Sequence, residues 1–189
     1  MQIKKQRKMK MKKIMITLVA VALAVSAQAA SFSWKTTNTG KLYEAGTTTL
    51  LDAGTVYLFN SAAITQQAVL DAVLAGTSLD TLGALSSSTV SAGAINSATF
   101  EWGVAGDTLN AYVAIVDGDN VFISDLKTAA GQQASTVSIN FNLKSASQGT
   151  AMESSTFTSG GWYTAVPEPT SGLLMLVGLA GLALRRRRA

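Results

Sequence analysis

The sequence predicts an all-β fold: a single β-sandwich or jelly-roll-like domain with one short helix, flanked by two segments that do not belong to it. Three observations predict this. Between residues 30 and 165 the composition is Ser, Thr, Ala, Gly and Asn with few charges, which suits short strands joined by turns. Residues 135–143 alternate strictly, with Val137, Ile139, Phe141 and Leu143 on one side and Thr136, Ser138, Asn140 and Asn142 on the other. Two further apolar runs are separated by Asp117-Gly118-Asp119-Asn120, residues that readily adopt positive φ.

In chain order, strands are expected at 31–34 and 55–59. A helix follows over 66–75, where Val69, Leu70, Val73 and Leu74 form one stripe. Thr65 supplies its N-cap, Ile64 staples onto Val69, and Gly76 ends it. A second short turn is expected over 78–82 with Asp80 as a local cap, and both helical pieces are expected to close one end of the sandwich or cover an open edge. A strand at 98–104 precedes a hairpin of 109–116 and 121–124, and the alternating strand at 135–143 completes the set. With no cysteine in the chain, burial alone must hold this domain together.

The N-terminal flank reads as a secretory signal peptide over residues 1–29. Lys4, Lys5, Arg7, Lys8, Lys10, Lys12 and Lys13 form a basic region, 14–25 an apolar one, and Ala27-Gln28-Ala29 a small-residue cleavage site with the cut after Ala29. Its partners would be the secretion translocon and signal peptidase. Met9 and Met11 leave the start open among three methionines, and without cysteine no lipid can be attached after the cut.

The C-terminal flank has three parts in order: Pro167-Glu168-Pro169, an apolar run over 170–184, and Arg185, Arg186, Arg187 and Arg188. Two prolines keep the backbone extended, an apolar helix enters a bilayer, and four guanidinium groups stop it there. As a helix, the run spans roughly 22 Å against a hydrocarbon core of roughly 30 Å. Arg185 would have to snorkel, and Val166 with Trp162 and Tyr163 would sit at the opposite interface.

This arrangement over 166–189 resembles the PEP-CTERM sorting domain of exported bacterial proteins, which an exosortase, a membrane protease-transpeptidase, processes. The resemblance implies that Pro167, Glu168 and Pro169 are the recognition motif, that the chain is a substrate, and that it is associated with extracellular polysaccharide and biofilm. It carries no catalytic residue onto this chain. Both flanks together place residues 30–165 outside the cytoplasm.

Charge follows the same division. The whole chain has net +4 and pI near 9.4, but residues 30–165 hold four lysines against ten carboxylates, a balance of −6. The basic charge belongs to the flanks, and the acidic domain between them is expected to bind no nucleic acid.

No histidine and no cysteine occurs in the sequence, which removes Ser-His-Asp and Cys-His pairs, histidine-ligated metals and thiol redox chemistry. No cofactor is expected. Paired carboxylates remain, with Glu44, Asp52, Glu101 and Glu153 available to a glycosidase. Asp117, Asp119 and Asp125 have the ligand chemistry of a calcium site, although a plain hairpin turn accounts for the same residues. Among Trp34, Tyr43, Tyr57, Trp102, Tyr112 and Trp162, Trp102 and Tyr112 are the candidate glycan contacts, while their place inside strands suits packing as well. The expectation is a non-enzymatic cell-surface or matrix protein, with a carbohydrate-binding module and then a carboxylate-dependent glycosidase as alternatives.

Overall fold

The computed structural model describes residues 29–133 and 135–164. The alternating segment forms β9, Val137–Phe141, with Ile139 and Phe141 buried and Ser138 and Asn140 exposed. It pairs in parallel with β1, Ala29–Thr36, whose Ala30, Phe32 and Trp34 are buried on the same side. On the other edge of β1 lies β5, Ala98–Val104, running antiparallel from Ala29↔Val104 to Trp34↔Ala98. These three strands form a small sheet of order β5-β1-β9.

The hairpin lies at the centre of a larger sheet. Its strands are β6, Thr108–Asp117, and β7, Asn120–Ile123, joined by Gly118 and Asp119. Gly118 has φ of 56° and Asp119 lies at negative φ, the pattern of a type II′ turn. β2, Thr55–Asn60, pairs with the opposite edge of β6, followed by β3, Ser86–Ser91, and β4, Ala94–Ile95. Beyond β7 come β11, Gly161–Thr164, and the two-residue edge strand β10, Met152–Glu153. β8, Lys127–Ala130, pairs with the first half of β6, so β7 and β8 share one edge of that strand. Where the chain switches between them, buried Ser124 donates its N–H to Val113 O and accepts the Val113 N–H on Oγ, at 2.9 and 3.0 Å. One hydroxyl thereby continues the ladder across a break in pairing.

The large sheet is buried on both faces. One side chain series, with Val56, Leu58, Leu109, Val113, Ile115, Phe122 and Trp162, packs on the small sheet as the sandwich core. The alternate series, with Phe59, Tyr112, Ala114, Val121, Ile123 and Tyr163, packs on Val69, Leu70 and Leu79 of a helical layer. That layer consists of α1, Gln66–Leu74, and a 3-10 turn, Leu79–Thr81. The helix therefore covers an outer sheet face, in place of the expected end or open edge of the sandwich. Two-sided burial explains why Ala111–Ile115 is apolar at every position. Thr65 caps α1 by accepting the Ala68 N–H, and Gly76 N–H bonds back to Val73 O. Ser78, and not Asp80, is the N-cap of the 3-10 turn.

Trp162 and Tyr163 do not take the membrane-interface positions expected of them. They are fully buried core residues, with Trp162 Nε1 donating to the carbonyls of Tyr43 and Ser147, both at 3.0 Å. Ser147 ends a short helix α2, Lys144–Ser147. Neither ring is free to lie at a membrane interface.

The two ends of the sandwich are distinguishable by pairing alone. Ala29 lies beside Val104, while Gly131, whose added Cβ would meet that of Ala30, bonds to Gly106 and Asp107. At the other end, Thr36 Oγ1 accepts from Ile95 N, Ile95 pairs with Val90, and Val90 N bonds to Gly54 O. Thr55 begins there, and Thr164 pairs with Asn120 beside the hairpin turn. The described chain thus enters at one end and leaves at the other. Among the described residues no helix is long and apolar enough to cross a membrane. The expected sorting helix at 170–184 lies outside the described residues, as does most of the signal peptide.

Candidate functional site

The three acids proposed as calcium ligands are not brought together. Asp117 and Asp119 sit at the turn, while Asp125 follows β7 at its far end, separated from Asp119 by about 20 Å of extended chain. Calcium ligands converge to within 2.3–2.6 Å of one ion, which this spacing forbids. Asp125 has a structural task instead: its Oδ1 accepts the Gly160 N–H at 2.7 Å and holds the turn that leads into β11. No group of three or more acids among the described residues could hold a metal ion.

The candidate glycan contacts also turn inward. Tyr112 is wholly buried, stacks on Phe59 at 5.6 Å between centroids, and donates its hydroxyl to Ile64 O at 2.9 Å. Burial pushes that hydroxyl above the usual phenol range. A ring with no exposed face cannot be a sugar platform, so Tyr112 is a core residue. Trp102 is partly buried, packed on the sandwich core, and meets Phe32 edge-on at 6.3 Å. Of the glycosidase acids, Glu101 points outward from β5 in the small sheet, and Glu153 lies on β10 at the far edge of the large one. Asp52 Oδ1 accepts the Ala92 N–H at 3.2 Å.

What the structure does assemble lies where the chain leaves the large sheet. A groove of about 780 Å³ opens there, lined by Tyr57, Val73, Leu74 and Val116 among its apolar residues and by Asp119 and Thr164 among its polar ones. Val116 is 43% exposed, which among the described residues makes it one of two exposed large hydrophobic side chains. Thr164 pairs with Asn120 on one side and Glu153 on the other, and its Oγ1 donates to Asp119 O at 3.4 Å. The groove was not read from the sequence, because its walls come from β2, α1 and β6, which only the tertiary fold brings together.

Immediately after Thr164, residues 165–188 match the family model of the PEP-CTERM protein-sorting motif. The chain carries a PEP-CTERM protein-sorting motif. Pro167, Glu168, Pro169 and the four arginines from Arg185 to Arg188 fall within the match, which begins one residue before the expected boundary. These residues, and Ala27 of the expected signal cleavage site, lie outside the described part of the chain, whereas Ala29 opens β1. A PEP-CTERM motif implies export, C-terminal membrane anchoring before processing, and an exosortase as the processing partner. No curated protein and no solved structure matches the chain.

Proposed function

We propose that this exosortase-sorted chain is a non-enzymatic component of the cell surface or extracellular matrix, structural or adhesive in a polysaccharide-rich biofilm. The observation that carries this reading is the PEP-CTERM motif beginning directly after the last strand of a β-sandwich. The domain is the cargo and the tail is its address.

Two features support the finer part. The sequence has no histidine or cysteine, and its acids are dispersed over turns, an outer sheet face and an edge strand. The outer face of the small sheet carries short hydroxyl and amide side chains, among them Ser31, Ser33, Thr136, Ser138 and Asn140. Ser33 and Ser138 share a hydrogen bond of 3.1 Å, and Thr136 bonds Ser31 at 3.2 Å. Such a face exchanges hydrogen bonds with water or a glycan at little cost.

Fractionation of cultures with and without an exosortase tests the proposal. With the enzyme, the domain is expected in the cell-surface and matrix fractions and is displaced from them by digestion of the polysaccharide. Recovery only from the bulk medium, unchanged by that digestion, would count against a matrix role.

A further inference from the structure

We propose that the groove-bearing end of the sandwich is a docking surface for the enzyme that processes residues 165–188. This rests on the exosortase-substrate reading and adds to it that the folded domain, and not the tail alone, is recognised.

The tether between the sheet and the motif is short. Only Ala165 and Val166 separate Thr164 from Pro167, so the motif begins within about 11 Å of the sheet even when fully extended. An enzyme gripping Pro167 to Pro169 is far larger than that gap. Its body meets whatever surrounds Thr164. Nor does the sheet end fray there, since Thr164 is paired on both sides and bonded to the hairpin turn.

What surrounds Thr164 is in part apolar. Thr164 lines the groove, whose apolar walls include the exposed Val116 and the partly buried Tyr57, Val73 and Leu74. Among the described residues no lysine or arginine lines it, and Asp119 is its only charged residue. An exposed apolar side chain set among polar ones is a composition that protein interfaces use, and here it suits a partner whose contacting surface is apolar and free of acidic groups. The other exposed large hydrophobic residue, Leu126, lies past the opposite end of β7 and out of reach. Occupant and groove are thus joined by the chain itself: whatever holds the motif is delivered to this wall.

The test uses the full chain in an exosortase-bearing host, with loss of the tail followed by pulse-chase and intact mass. Val116→Lys and, separately, Asp119→Arg are compared with Leu126→Lys, a matched change at the other end. All are checked by thermal melting of the full chain in detergent. Each groove variant should slow processing about fivefold to tenfold, the loss of one central interface contact, with Leu126→Lys at the unsubstituted rate. In a second series a flexible Gly/Ser linker separates Thr164 from Ala165. The unsubstituted chain should then slow, and Val116→Lys should add nothing. Normal rates for both groove variants on the native tether would overturn the docking surface while leaving sorting intact. Failure of every chain, the unsubstituted one included, to lose its tail would remove the sorting reading and the docking surface with it.

Discussion

Tyr112 stacks on Phe59 within the outer core, and its hydroxyl satisfies the Ile64 carbonyl just before α1 begins. Replacing it with Phe keeps the ring and removes one hydrogen bond, at a cost of about 1 kcal/mol. Because burial favours the neutral phenol, its folded pKa lies above the unfolded value near 10. Its contribution is therefore complete below that value and lost as pH rises beyond it. Melting curves from about pH 9 to about pH 11 should fall more steeply for the unsubstituted chain than for Tyr112→Phe. Gly40 offers a second check. A Cβ there would strike Thr37 Oγ1, Asn142 Cα at 2.6 Å and Phe141 O at 2.8 Å, two of them backbone atoms that cannot rotate away. Gly40→Ala should cost about 1–3 kcal/mol, measured by chemical denaturation.

The helix α1 was legible at the element scale because local signals agreed: the apolar stripe, the Thr65 cap and the Gly76 stop. Thr65→Ala should cost about 1 kcal/mol in denaturant and loosen the Ala68 amide in hydrogen exchange. The hairpin and the alternating strand were legible for the same reason. Strand β3, by contrast, reads Ser-Ser-Ser-Thr-Val-Ser and carries no apolar period. It is a strand because β2 on one edge and β4 on the other supply its ladder. The two-residue strands β4 and β10 owe their existence to partners in the same way. The layer over the large sheet is not legible in the sequence because alternation reports one wet face, and β6 has none between Ala111 and Ile115. Of the candidate sites, the sorting motif could be read because it is contiguous, whereas Asp117, Asp119 and Asp125 are near one another only in sequence and the fold separates them, and Tyr112 is buried by layers that lie far from it in the chain.

Across the whole molecule, the described chain enters beside Val104 and Gly131 and departs beside Asn120 and the hairpin turn, so the ends of the domain are unlike. A PEP-CTERM motif implies C-terminal membrane anchoring before processing, and the described chain leads into that motif from the end bearing the groove. The acidic balance of residues 30–165 is consistent with a domain that stands off anionic lipid and does not lie on it. The role of this sandwich as cargo turns on its tail being processed. Intact-mass spectrometry of the chain from otherwise identical hosts with and without an exosortase tests it most directly. Loss of the segment from Leu173 to Arg188 is expected only where the enzyme is present, and retention of that segment in both hosts would contradict processing of the tail.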